Sequence, residues 1–203
     1  KFGCKIALQR RVGLPIRPTT TLAVAVARLV PQKGLDLLAA AAPRLLAGDV
    51  QVLVVGDGAP DIVEAFRRLS REEPERVRLA DGFDEALAHL AYAGADLFLV
   101  PSRYEPCGLT QLIAMRYGAV PVARRTGGLA DTVIDLDAHL ETGTGFVFDE
   151  PDGAALLGAF QRAVAARADR PAWMGLLERL TRLDHSWERS ARIYEEMYRS
   201  MIA

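Results

Sequence analysis

Ala95-Asp96-Leu97-Phe98-Leu99-Val100 runs straight into Pro101-Ser102-Arg103-Tyr104-Glu105-Pro106-Cys107-Gly108-Leu109-Thr110-Gln111, and the fold class can be read outward from this junction. The first six residues have the length and apolar character of a buried strand. Beyond the loop, Leu109, Leu112, Ile113 and Tyr117 recur at helical spacing, with Gly108 and Thr110 near the expected helix start. The loop therefore lies at the carboxyl end of a strand. In open parallel α/β sheets ligands bind at that edge, and free amides at a helix N-terminus favour anions there. Glu105 puts a carboxylate beside this anion site. An acid next to amides that prefer negative charge suits a ligand with hydroxyls beside a phosphate, such as a sugar nucleotide.

The same alternation extends along the chain from Leu22 onward. Strands are expected at 22–27, 50–55, 77–79, 97–100, 120–123 and 146–148, and helices at 35–47, 61–73, 85–93, 109–117 and 129–136. Strand and helix in strict succession predict an α/β fold: a Rossmann-like parallel sheet of six strands with helices on both faces, joined by right-handed crossovers. Residues 1–150 are expected to form this core, with a sugar nucleotide as the ligand that its carboxyl edge would suit. Residues 151–203 read as a tail of three helical stretches, broken at Asp169-Arg170-Pro171 and Asp184-His185-Ser186, which packs on the core or reaches toward a partner domain. The whole is one domain.

Composition bounds the partners. With 203 residues, half of them apolar, the chain can bury a full core. No window approaches the uncharged length of a membrane span. A formal charge of −1 with mixed signs gives no electrostatic footprint for nucleic acid, so an anion has to be held locally. Cys4 and Cys107 match no metal spacing and point to a reduced, cytoplasmic setting. The chain opens at Lys1-Phe2-Gly3-Cys4 without an initiator Met, which reads as a fragment of a longer protein.

Several other loops fall at the same sheet edge. After the first strand, Arg28 and Lys33 flank a proline bend where a dinucleotide fold would have a glycine-rich turn. Their spacing alone slightly favours a solvated surface pair. Their place at a strand's carboxyl end favours a diphosphate, met by a rigid guanidinium fork and a mobile ammonium. Gly56-Asp57-Gly58 lacks the third glycine of a dinucleotide fingerprint and reads as a tight turn. In Asp81-Gly82-Phe83-Asp84, Asp84 suits a helix N-cap. Gly82 and Phe83 there are either part of that cap or an aromatic face for a nucleobase. Arg124-Arg125-Thr126-Gly127-Gly128 repeats the glycine turn into a helix, and paired glycines let backbone approach a ligand closely. Asp135-Leu136-Asp137 has a metal-binding spacing but reads as a solvated acidic loop. His89, His139 and His185 share no ligand spacing and read as structural or surface residues, and Cys107 reads as packing. No metal site is expected.

With these residues in hand, the chain resembles the C-terminal half of bacterial glycogen synthases and plant starch synthases, retaining glycosyltransferases of the two-domain GT-B fold. The segments that carry the resemblance are ARLVPQKGLDLL (27–38), VVGDGAP (54–60), ADLFLVPSRYEPCGLTQLIAMRYGAVPVARRTGGLADTV (95–133), TGFVF (144–148) and SWERSARIYEEMY (186–198). The resemblance implies transfer of glucose from ADP-glucose to the non-reducing end of an α-1,4-glucan with retention, without a metal or other cofactor. It implies that Arg28 and Lys33 hold the diphosphate as it leaves and that Glu105 hydrogen-bonds the donor glucose. Gly108, Leu109 and Thr110 would cradle the distal phosphate and sugar, with Gly82, Phe83, Cys107, Thr126 and Gly127 also lining the donor site. Related retaining enzymes carry a second Glu eight residues after the first, where this chain has Ile113, a departure that bacterial glycogen synthases tend to share. The family's N-terminal domain, which carries the acceptor site for the glucan, has no counterpart here, so the chain alone is expected to be inactive. Two other readings stay open at this point: a non-catalytic module that senses a sugar nucleotide or binds a partner, and a transferase that uses UDP-glucose.

Overall fold

The computed structural model describes residues 1–137 and 141–202, and His139 lies outside them. Six strands form one parallel sheet: β1 (Thr21–Val26), β2 (Val50–Gly56), β3 (Val77–Asp81), β4 (Leu97–Val100), β5 (Val120–Arg124) and β6 (Phe146–Phe148). Their order across the sheet is β3-β2-β1-β4-β5-β6. The chain thus winds outward from β1 in one direction, returns, and winds outward in the other. Val24 pairs with Leu53 on one side and with Phe98 on the other, so the switch point lies between β1 and β4.

Because both sheet faces are covered, the strands read as apolar runs rather than as alternating patterns. The alternation becomes visible only in the packing. Ala23, Ala25, Val52, Val54, Leu97, Leu99, Val120, Val122, Phe146 and Phe148 point into one core. Leu22, Val24, Leu53, Val55, Phe98, Val100 and Val147 point into the other. The first core is closed by α2 (Leu35–Leu45), α3 (Pro60–Glu72), α7 (Gly153–Ala168) and α8 (Arg170–Arg182). The second is closed by α1 (Phe2–Val12), α4 (Glu85–Gly94) and parts of α5 (Thr110–Arg116) and α6 (Gly128–Thr132). Asp84 caps α4 as its position suggests, accepting a hydrogen bond from the Leu87 amide at 3.0 Å.

Helix α1 is an element that the pattern reading passes over. Its core-facing positions include Lys5 and Gln9 as well as Leu8, so no apolar stripe marks it. The nitrogen of each side chain is buried against a partner. Lys5 Nζ donates to Asp96 Oδ2 at 2.6 Å and to the carbonyls of Pro18 and Thr20, and Gln9 Nε2 donates to Gln51 Oε1 at 2.7 Å. Asp96 also accepts the Leu22 amide at 2.8 Å and faces Arg167 of α7 at 3.3 Å. Burial pushes the Lys5 ammonium below its usual range, and the Asp96 charge opposes that shift. The acid at the start of the apolar run 95–100 thus locks α1, β1, β4 and α7 together at the amino edge of the sheet.

Three features correct the sequence reading. Asp135-Leu136-Asp137 is not a solvated loop: Asp135 is buried and takes both Arg162 guanidinium nitrogens, at 3.0 and 3.1 Å, while Arg162 also bonds Asp137. The segment expected to be helical at 129–136 forms only the short α6 and then turns, with Asp135 accepting the Val147 amide of β6 at 2.9 Å. Third, α5 does not bury the Leu109, Ile113 and Tyr117 stripe. Its inner face is Gln111, Ala114 and Met115, and Leu109 is 67% exposed. In the tail, α7 packs on α2 and β6, and α8 packs on α5 and α7. Helix α9 (Trp187–Ile202) buries none of its residues.

Replacing Asp96 by Ala leaves Lys5 and Arg167 buried without their shared counter-charge and is expected to cost about 3 to 5 kcal/mol of folding free energy, read by urea denaturation. For Asp135, burial alone would raise the carboxyl, but the Arg162 hydrogen bonds and the Val147 amide outweigh it and hold it below the usual carboxylate range. A carboxyl depressed in the folded state adds stability above its unfolded value, about pH 4, and loses it as pH falls through the folded value. Asp135→Asn should therefore lower Tm at pH 7 and narrow its gap to the parent by pH 3. An equal gap at both values would contradict the ion pair.

Candidate functional site

Where β1 and β4 end, three loops converge. Past β1, Val30 leads into a short 3₁₀ turn, Pro31–Lys33, closed by Gly34 in the left-handed conformation at φ 66°. A β-carbon on Gly34 would stand 1.9 Å from the Pro101 carbonyl oxygen, so only glycine lets the Lys33 turn lie against the loop that follows β4. Lys33 Nζ then reaches Glu105 Oε2 at 2.5 Å, and Ser102 Oγ donates to that same oxygen at 3.1 Å. Both charged side chains are mostly covered, with 21% of Lys33 and 12% of Glu105 exposed. The Arg28 side chain stands exposed at the same edge, with no hydrogen-bond or ion-pair partner among the described residues.

A cleft of about 210 Å³ opens between these groups, lined by Arg28, Lys33, Ser102, Glu105 and Thr110 over a floor of strand-end residues such as Val26 and Leu99. It sits at the switch point, has one free cation and one cation-carboxylate pair, and is apolar beneath. That combination can hold an anion against Arg28 and Lys33 while Glu105 and Ser102 offer hydrogen bonds to hydroxyls. A larger hollow, about 630 Å³, lies beside Leu109, Ile113, Tyr117 and the turn from α8 to α9. It is walled by the outward face of α5 and does not reach the ion pair.

The third loop supports the second from below. Gly127, at φ 46°, and Gly128 press against the carbonyls of Glu105 and Cys107, where β-carbons would stand 2.0 and 2.1 Å from oxygen. The Gly128 amide donates to Glu105 O at 3.1 Å. Thr126 is half-buried in the same turn. The glycine pair thus brings one backbone close to another backbone, a role that turn chemistry alone does not reveal. Gly56-Asp57-Gly58 does the same for Arg28: Leu29 N donates to Asp57 O at 2.6 Å, and Ala59 N donates to Leu29 O at 2.7 Å.

The sequence candidates divide accordingly. Arg28, Lys33, Glu105 and Thr110 share the cleft, and Gly108, Thr126 and Gly127 shape the loops around it. Gly82 and Phe83 lie at the end of β3, two strands from β1 across the sheet, with Phe83 75% exposed. Leu109 faces the larger hollow. Cys107 does not pack: its thiol is exposed and its backbone makes the contacts. Pattern reading passed over Ser102, Gln111 and Arg103. Buried Gln111 donates to Gly108 O at 2.9 Å and to Thr132 Oγ1 at 3.0 Å, joining α5 to α6. Each is a polar residue of the loop singled out; Ser102 bonds within that loop, whereas Arg103 and Gln111 also reach Asp36 and Thr132, which are distant in sequence.

Residues 20–166 match the family model described as glycosyl transferases group 1. The chain is 57% identical over 201 residues, 99% of its length, to a glycogen synthase of Anaeromyxobacter dehalogenans (strain 2CP-C). It is 46% identical over 206 residues to glycogen synthase 2 of Nitrosococcus oceani. Among solved structures, the catalytic domain of starch synthase IV from Arabidopsis thaliana, bound to ADP and acarbose, superposes with a TM-score of 0.88 at 39% identity over 98% of this chain. The chain spans 42% of the length of each of these three relatives. A switch-point cleft with its cations and carboxylate, the matched family model and the extent of identity lead to one statement: this chain belongs to the glycosyl transferases group 1 family.

Proposed function

We propose that this chain is the donor-binding half of a glycogen synthase, which holds ADP-glucose while glucose passes to the non-reducing end of an α-1,4-glucan with retention. The observation that carries the reading is the convergence of Arg28, Lys33 and Glu105 on one cleft at the switch point. The likeness to a starch synthase solved with ADP supports the choice of nucleotide. In this reading the diphosphate lies against Arg28 and the Lys33 ammonium, and Glu105 and Ser102 orient hydroxyls of the glucose. Gly108 and Thr110 bound the cleft beside the distal phosphate, and Phe83 stands toward the nucleoside.

Breaking the bond between the anomeric carbon and the diphosphate oxygen builds negative charge on the departing ADP. Fixed cations at that point are worth more in the transition state than in the ground state, which raises kcat rather than only tightening binding. Two side-chain cations supply this charge, so the proposal needs no metal. The acceptor glucan would bind to a second domain of the whole protein, with α9 directed toward it, and the chain by itself would bind nucleotide without turnover. Cys4 and Cys107, both free thiols, accord with a cytoplasmic setting.

In the full-length protein, Arg28→Ala and Lys33→Ala should each lose about 2 to 5 kcal/mol of transition-state stabilisation, measured as kcat/KM for glucose transfer from ADP-glucose to glycogen. Rates near those of the parent for both variants would rule the assignment out. Calorimetry on the same protein should find ADP binding more tightly than UDP. Tighter UDP binding would replace the donor with UDP-glucose.

A further inference from the structure

Arg103 lies two residues before Glu105 and is bonded to each of the other two loops. Its guanidinium grips the Asp36 carboxylate at both oxygens, each at 2.6 Å, and donates to Pro31 O at 2.7 Å. Its amide donates to Gln32 O at 2.8 Å, and its carbonyl accepts from Arg124 Nη2 at 3.1 Å. Gln32 Nε2 returns a bond to Tyr104 O at 3.1 Å. Pro31 and Gln32 form the turn that carries Lys33, and Asp36 stands in the first turn of the helix that follows. The rigid fork therefore spans the two loops whose charged groups face each other across the cleft.

We infer that Arg103 is a positioning residue: through Asp36 and Pro31 it sets where Lys33 stands relative to Glu105, and so how a donor diphosphate is met. This rests on the donor-binding reading above. Arg103 does not line the cleft, and its side chain and that of Asp36 are 36% and 40% exposed. A pair so open to water adds little to global stability. Its bidentate geometry is instead suited to fixing orientation. The Arg103 hydrogen bonds hold the Asp36 carboxyl below its usual range, so the pair stays charged across the neutral region. Two loops can be held by backbone contact at Gly34 and still rock about that contact. The clamp adds fixed points at Pro31 and Gln32 before Lys33 and at Asp36 after it, and removes that freedom.

The test uses Arg103→Ala, Asp36→Ala and the double variant in the full-length protein, with ADP-glucose and glycogen as substrates. Displacement of a catalytic group by a fraction of a turn should lower kcat by roughly 10- to 100-fold. KM for ADP-glucose should stay within about threefold and Tm within about 3 °C, as expected for an exposed pair. Because the two residues act as one unit, the double variant should be no slower than the worse single one. A kcat within twofold of the parent, or a loss matched by a collapse in Tm, overturns the inference. Hydrogen exchange of residues 28–36 and 101–107 separates this from failure of the donor reading. If the parent transfers no glucose, faster exchange in both segments of Arg103→Ala still supports the clamp and the donor reading fails alone; unchanged exchange overturns the clamp.

Discussion

The close approach of Gly34 to Pro101 is the constraint on which the site depends. Loops after β1 and β4 leave adjacent strands at the switch point, where successive helices depart to opposite faces and leave a crevice. Crevice alone would not bring Lys33 to Glu105. The left-handed glycine lets one backbone rest on the carbonyl of the other, and the ammonium and carboxylate then meet within hydrogen-bond distance. Any side chain at position 34 would have to push the two loops apart.

Charge is managed differently at the two edges of the sheet. At the amino edge, Asp96 sits among Lys5, Arg167 and backbone donors, a buried cluster in which the partners are protein groups. Such a cluster ties together segments distant in sequence at the expense of desolvation. At the carboxyl edge, Lys33 and Glu105 satisfy each other, while Arg28 points to solvent with no partner among the described residues. The first arrangement holds structure. The second leaves the Arg28 charge open to solvent.

Much of the fold was legible because apolar runs of strand length alternate with helical periods and turn residues. All six strands fall within about two residues of their expected limits, an offset in keeping with the usual scatter of element ends. Helix α1 was not legible, since Lys5 and Gln9 occupy positions where pattern reading requires apolar residues. The stripe of Leu109, Ile113 and Tyr117 misled for the opposite reason: these apolar residues face outward, and α5 turns Gln111, Ala114 and Met115 inward instead. Asp135 and Asp137 looked like solvated acids because Arg162, which neutralises them, stands in another helix.

In the site, the residue types and their position at strand ends were readable from sequence: Arg28, Lys33 and Glu105 follow apolar strands, and strand ends in such a sheet form one edge. Sequence by itself thus determined the α/β class, the sheet edge at which the candidate residues gather and the kinship of the segments. Tertiary structure alone decided which of these groups meet. The contact between Lys33 and Glu105 depends on strand order and on the φ of a glycine that lets one loop rest on the other, neither of which is a local property of either residue. Periodicity and propensity are short-range, whereas ion pairing and close backbone contact are set by which strands lie side by side.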